Sequence, residues 1–265
     1  MHPLEEIAGG FITYPNEKAA EFYKFYGDYM RTAPDELTVE TSFSARGMLV
    51  MVCYSGDMNR SELVLEPLSK FGGFKGSLQR MPYVGMQTPP LLARIGDAIG
   101  REFRAFTALL GGHEPRPPFI HWKGGYLKEL NHRAIEILME ASRKAPRWFS
   151  IGLGHYMHGA VCRAAPASTP LVREQHGISY FINASWIEPR DGEPSVKWVN
   201  NYWKQLQPLS GNKAYVNYLS ADDEPSVASA YGSNYERLAA LKSKYDPSNF
   251  FHLNRNIRPQ RDARR

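Results

Sequence analysis

The sequence predicts an α+β fold, a β-sheet covered on one face by helices, with a helical extension towards the C-terminus. Three observations carry this expectation. Apolar residues recur at intervals of three and four in several segments, the spacing of one helix face. Short runs rich in β-branched and aromatic residues lie between them, as in strands. The first segments follow one another as strand, helix, two strands and helix, an order that lays helices on one side of a sheet.

Residues 9–14 (GGFITY) read as the first strand. Asn16 is placed to cap a helix carrying Ala19, Phe22, Tyr23, Tyr26 and Met30 on one stripe. Beyond Pro34, residues 37–43 and 48–54 read as strands paired about an Arg46-Gly47 turn. A helix over about 59–71 follows and stops at Gly72-Gly73. Residues 88–118 are bracketed by prolines, enclose a helix over 91–110, and read as an insertion or lid. Next come a strand at 119–126 and a helix from 131 to about 144 with Ala134, Ile137, Leu138 and Ala141 inward. Strands near 148–157 and 178–186 flank the segment 158–163. Ser195 is placed to cap a helix bearing Val196, Val199, Trp203 and Leu206, and 215–219 reads as a short strand. Ser233 and Glu236 form a capping box for the last helix, which stops before Pro247.

Composition excludes several classes of function. The 265 residues have the apolar (43%) and charged (22%) fractions of an ordinary soluble domain. The net charge of +5 is concentrated in the last eleven residues, where Arg255, Arg258, Arg261, Arg264 and Arg265 face only Asp262. This tail reads as a solvated end, and no basic patch interleaved with aromatics points to nucleic acid. Cys53 and Cys162 form no CxxC and no Cys/His cluster, so neither a disulfide framework nor a metal site is expected. The N-terminus lacks the pattern of a signal peptide, and no apolar run reaches the ~18 residues of a membrane span. The expected location is the cytoplasm.

The most specific signal is the closing segment. Tyr215-Val216-Asn217-Tyr218-Leu219 is followed by Tyr231-Gly232 with Asn234-Tyr235, then by Lys244-Tyr245-Asp246-Pro247 with Asn249 and Phe251, then by Asn254 and Asn256-Ile257. This resembles the C-terminal signature of berberine bridge enzyme-like oxidases, flavin-linked enzymes of the vanillyl-alcohol oxidase superfamily. Upstream, Ala33-Pro34-Asp35-Glu36-Leu37, Cys53-Tyr54 with Gly56-Asp57, Met81-Pro82-Tyr83 with Gln87, and His158-Gly159-Ala160-Val161 fit the same family in the same order. The resemblance spans nearly the whole chain except 88–118. It implies a substrate-binding domain with an antiparallel sheet over residues 1–220, then the family's helical C-terminal segment and basic tail over 221–265. It also implies that this sheet lies over the flavin ring of a separate FAD-binding domain. Such a domain would precede Met1, and no glycine-rich phosphate-cradling loop replaces it here. The chain alone is therefore expected to bind no cofactor tightly, FAD being supplied by a separate flavin-domain polypeptide. The apolar surface left bare would favour a homo-oligomer or a bound partner.

The same resemblance nominates site residues. Tyr215, Asn217 and Tyr218 match the segment that faces flavin and substrate, although strand alternation puts Tyr218 opposite the other two. Arg163 matches the place of a catalytic carboxylate in plant members; as a fixed cation it would instead hold a carboxylate or phenolate. His155 is the candidate proton carrier. His158 lies three residues on and so on the other face of a strand, which makes the two poor partners for one metal. Tyr83 and Gln87 match a loop near the pocket mouth, and Tyr180 lies on a floor strand. His121, Trp122 and Lys123 form a compact polar and aromatic group. The expected substrate is a small hydroxylated or aromatic molecule oxidised with the flavin. Open alternatives are a flavin-independent lyase or isomerase in the same pocket and a non-catalytic binding protein.

Overall fold

The computed structural model describes residues 4–45, 47–87, 117–171, 177–210, 216–218, 226–253 and 255–260. Seven strands pair throughout as antiparallel neighbours in the order β4-β1-β3-β2-β6-β7-β5. They are β1 (Glu6–Tyr14), β2 (Leu37–Ser44), β3 (Gly47–Tyr54), β4 (Lys75–Pro82), β5 (Phe119–Leu127), β6 (Trp148–Met157) and β7 (Gly177–Trp186). The helices are α1 (Ala19–Arg31), α2 (Ser61–Phe71), α3 (Tyr83–Gln87), α4 (His132–Arg143), α5 (Ala160–Arg163), α6 (Gly192–Ser210), α7 (Ser226–Tyr231) and α8 (Tyr235–Tyr245). No described helix is long and apolar enough to cross a membrane.

Helices α1, α2, α4 and α6 bury one face of the sheet. The buried positions of α1 and α4 are the two stripes read from the spacing. Phe22 is sealed among the rings of Tyr14, Phe25, Tyr26 and Phe71, with centroids 4.9, 5.8, 6.3 and 5.4 Å away. Phenols and an indole tie the layers by donating to main-chain carbonyls: Tyr26 to Val39, Tyr29 to Val64 and Trp198 to Ala141. The strands answer with parity. Leu37, Val39, Thr41 and Phe43 of β2 are buried, while Thr38, Glu40, Ser42 and Ser44 between them are half-buried on the other side.

Several local expectations are corrected. Asn16 does not cap α1; its amide donates to the Ser44 carbonyl, and a short 3-10 turn (Asn16–Lys18) starts the helix. Ser195 lies buried inside α6, whose apolar stripe is Trp198, Val199, Tyr202 and Leu206. Val196 and Trp203 sit at its margin. Ser233 forms no capping box, because 3-10 turn Gly232–Asn234 runs directly into α8 without a side-chain cap. Val216–Tyr218 is a 3-10 turn rather than a strand. Strand β4 was hidden in the sequence for a physical reason: it is a sheet edge, mostly exposed, and its charged and polar residues blunt that edge instead of alternating. The proposed insertion at 88–118 lies outside the described residues except for its last two.

The Asp246-Pro247-x-Asn249-x-Phe251 motif closes α8. Asp246 accepts from the amides of Phe250 (2.8 Å) and Phe251 (3.0 Å) and from the Lys242 ammonium, and Asn249 takes a left-handed φ of 55°. The Lys242 hydrogen bond, with the two amides, holds the Asp246 carboxyl below the usual range.

Two tests follow. Phe22→Ala should cost about 3–5 kcal/mol in chemical denaturation, the toll of emptying a closed aromatic site. A carboxyl held low orders its surroundings above its unfolded value and releases them as pH falls through the folded one. The amide resonances of Phe250 and Phe251 should therefore stay fixed through the pH range where a free aspartate titrates and move only below it. Asp246→Asn should remove that late step.

Candidate active site on the open sheet face

The face turned away from the main helix layer carries the candidate site. By parity it holds Glu40 and Ser42 of β2, Ser150, Gly152 and Gly154 of β6, Ser179 and Phe181 of β7, and Trp122, Gly124 and Tyr126 of β5. Towards β4 the same face is apolar, with Ile7, Phe11, Leu49, Met81 and Met86 clustered beside Tyr83, Met51 and Cys53. A polar strip thus lies between two apolar borders.

One irregularity decides where the polar strip gets its titratable groups. The β6–β7 register slips between Leu153 and Tyr156, a bulge that sets Gly154 and His155 opposite Ser179. Leu153 and Tyr156 both keep to the helix side, so the extra residue sends His155 to the open face. The Ser179 hydroxyl accepts from the His155 amide at 2.8 Å and pins the bulge. The imidazole Nε2 then meets the Glu40 carboxylate Oε1 across β2 at 3.2 Å. Burial raises the Glu40 carboxyl above its ordinary value and His155 draws it part of the way back. Burial, then the negative Glu40, raise the Cys53 thiol. Beside the pair, the Ser42 and Ser150 hydroxyls share a 2.8 Å hydrogen bond.

Glycines make room for an aromatic wall. Phe181 lies over Gly152, where an added Cβ would sit 2.4 Å from its Cζ. Trp122 stacks on Phe181 at 4.8 Å between centroids and 22° between planes. Tyr218 comes down beside Trp122 at 5.9 Å and covers Gly124, where a Cβ would be 2.5 Å from the Tyr218 Cδ2.

The residues nominated from sequence separate into groups. His155 and Tyr218 share the open face, and Asn217 is exposed on the same 3-10 turn. Tyr83 stands at the apolar border of that face. Tyr180 is fully buried in the helix-side core. His158 lies just past β6, its Nε2 2.9 Å from the Leu37 carbonyl and its ring edge-on to Tyr156. Arg163 is exposed on α5, with Nη1 2.5 Å from the Asp35 carboxylate. Both line a groove of about 940 Å³ whose other walls come from α1 and the start of α4. Tyr215 and the side chain of Gln87 lie outside the described residues. Of the compact trio, Trp122 faces the site, whereas His121 bonds Asn200 of α6 and Lys123 lies under the Trp203 ring. Glu40 was missed because a single acid in an alternating strand gives no signal until its cross-strand neighbour is known.

Comparison with known proteins agrees with this fold. The family model described as Berberine and berberine like matches residues 214–258. An FAD-linked oxidoreductase of Dictyostelium discoideum is 26% identical over 264 residues, covering 98% of this chain and 53% of that protein. The chain is similar to the berberine bridge enzyme-like FAD-linked oxidoreductases. The solved structure of a berberine bridge enzyme-like protein of Arabidopsis thaliana superposes with a TM-score of 0.73 at 20% identity, over 97% of this chain and 57% of that one. A xylooligosaccharide oxidase of Myceliophthora thermophila, solved with xylobiose, gives a TM-score of 0.72 at 15% identity, over 97% and 56% of the two chains. The chain spans about half the length of the relatives it matches.

The similarity to FAD-linked proteins raises the question of which part of FAD these residues could meet. Among the described residues the glycine pairs Gly9-Gly10 and Gly124-Gly125 lie within strands and Gly72-Gly73 follows a helix, so none opens a helix to cradle a pyrophosphate. The open face, with its aromatic wall and polar strip, suits a planar ring and a substrate. Among the described residues no glycine pair offers the dinucleotide's phosphates such a cradle.

The open face depends on its glycines. Gly124→Ala would meet Tyr218 and, at 2.6 Å, the Tyr180 carbonyl. A loss of about 1–3 kcal/mol is expected from such overpacking, with a change in near-ultraviolet circular dichroism as Tyr218 leaves Trp122.

Proposed function

We propose that this chain is the substrate-side half of a berberine bridge enzyme-like FAD-linked oxidoreductase, working with a flavin-binding domain carried on another polypeptide. The single observation behind this reading is the open face itself: an aromatic wall, Trp122–Phe181–Tyr218, beside a strip bearing Glu40, His155, Ser42 and Ser150. A small hydroxylated or aromatic substrate would lie between this face and the flavin ring, which accepts hydride when bound. The chain's own residues bind and orient the substrate and handle its proton. Tyr83, Asn217 and Tyr218 border the space in which it would lie. The sugar ligand of the xylooligosaccharide oxidase supports a hydroxylated substrate.

The C-terminal region supports the need for a partner. Tyr245, Phe250, Phe251 and Leu253 are 74, 72, 76 and 81% exposed, a run of large apolar side chains that a second domain or a second copy would cover. Flavin-independent lyase or isomerase chemistry on the same face is the second reading. The Glu40–His155 pair favours it, since such a pair moves protons without a cofactor.

The deciding experiment is equilibrium dialysis of the purified chain against FAD, alone and after co-expression with the flavin half of a relative. Retention only in the co-expressed sample, together with a yellow complex on gel filtration, is the expected outcome. Stoichiometric FAD on the isolated chain would contradict the divided arrangement. Turnover of substrate by the colourless chain would favour the second reading.

A further inference from the structure

The groove on the helix side of the sheet, away from the open face, has no part in the oxidoreductase reading. We propose that it is a second ligand site, which binds a small organic monocarboxylate with an apolar body. Arg31 and the Tyr156 hydroxyl hold the anionic end. The groove would serve this ligand whatever the open face turns over.

The walls are already in place. A volume of about 940 Å³ falls within the range, about 300–1,000 Å³, of clefts that enclose small ligands. One wall is tied to the start of β2. There Arg163 pairs with Asp35 at 2.5 Å, and the His158 Nε2 lies 2.9 Å from the Leu37 carbonyl. Gly159, at a φ of 64°, lets the chain close against Asp35. Another wall is α1, whose Arg31 holds Asp28. Ala33, Leu130 and Ile135 pack on the core and give the groove its apolar lining.

Charge and hydrogen bonding select the ligand. With Arg31 set against Asp28 and Arg163 against Asp35, the groove is left with Lys24 and Lys128 against Glu129. Among the described residues neither lysine has an ion pair, so, histidines aside, one negative charge on the ligand balances the lining. The Tyr156 hydroxyl has no hydrogen-bond partner among the described residues. Its half-buried ring stands edge-on to Tyr26 and His158, with centroids 6.3 and 5.7 Å away. Burial raises this phenol, the Arg31 guanidinium draws it back and the Cys162 thiol raises it again, so the hydroxyl lies near both groove residues. A protonated phenol donates to a carboxylate oxygen. A guanidinium with one Nη given to Asp28 keeps other N–H donors for the same planar group. A doubly charged phosphate would overbalance the lining.

The two cysteines supply the test, because Cys162 lines the groove and Cys53 lies at the open face. The full chain is alkylated with N-ethylmaleimide at mildly alkaline pH, and mass spectrometry follows each thiol separately. The probe is naphthoate. At ten times the concentration that halves the Cys162 rate, it should slow that rate about tenfold and leave Cys53 unchanged. Naphthamide, the same ring without the charge, should protect far less. Arg31→Gln and Tyr156→Phe should each raise the concentration needed about tenfold, the loss of a hydrogen bond to a charged group. Gly27 lines the groove within α1, and a Cβ there meets Leu130 only at 3.6 Å. Gly27→Leu should therefore melt no lower than the parent yet lose the protection. Arg31 is exposed, so Arg31→Gln keeps the test decisive where Gly27→Leu fails to fold. No slowing of Cys162 in the parent chain overturns the site. Equal protection by naphthamide, or protection unchanged in both Arg31→Gln and Tyr156→Phe, overturns the anionic end. Equal slowing of both cysteines overturns the placement in the groove.

Discussion

One-sided burial governs this molecule. Among the described residues α1, α2, α4 and α6 cover one face of the seven-stranded sheet, so a strand such as β2 must commit alternate residues to that core. What remains on the other parity is free to be polar, small or aromatic. Leu37, Val39, Thr41 and Phe43 fix β2 in register, and Glu40 reaches the open face only because its neighbours are locked beneath it. The core thus specifies the site indirectly. A shift of one residue in β2 would bury Glu40 under α1 and expose Val39.

Two departures from strict alternation give the face its character. The bulge after Leu153 lets β6 present Gly154 and His155 together while Tyr156 returns to the helix side. Without the extra residue, His155 would point among the helices and its contact with Glu40 would not form. Glycine is the second departure. Gly152 and Gly124 leave the main chain bare where Phe181 and Tyr218 cross it, so rings can lie against the strand instead of standing off it. The aromatic wall is therefore made as much by missing side chains as by present ones.

This explains how much was legible in the sequence. Helix stripes such as Ala134, Ile137, Leu138 and Ala141 are periodic and local, and the structure buries those residues. The pairing of β2 and β3 was readable from alternation, although Gly47, expected in the turn, begins β3 and pairs with Ser44. Strand β4 was not, because an exposed edge has no core to impose a pattern. The caps assigned to Asn16, Ser195 and Ser233 failed for separate reasons. The Asn16 amide goes to the Ser44 carbonyl, a competition that spacing along the chain cannot register, whereas Ser195 lies inside α6 and Ser233 within a 3-10 turn that runs on into α8. Among the site residues, His155 was recognisable as a titratable group on a strand. Its partner lies 115 positions earlier in the chain and became visible only through the β2–β6 pairing.

The family resemblance and the candidate site overlap only in part: Tyr218 and Tyr83 belong to both, while most motif residues lie elsewhere. The Asp246 to Phe251 motif makes a tight turn, with a carboxylate receiving two amides and an asparagine in a left-handed conformation. Asp35 of the early motif anchors Arg163, and His158 bonds the Leu37 carbonyl. These contacts join one element to the next and say what scaffold the chain builds. Glu40, Trp122 and Phe181, which belong to none of the motifs, line the open face instead. Motif matching therefore locates the fold in its turns and junctions, while the candidate face is assembled by parity across the sheet. Arg163, nominated by its motif, pairs with Asp35 in a groove walled by α1 and the start of α4.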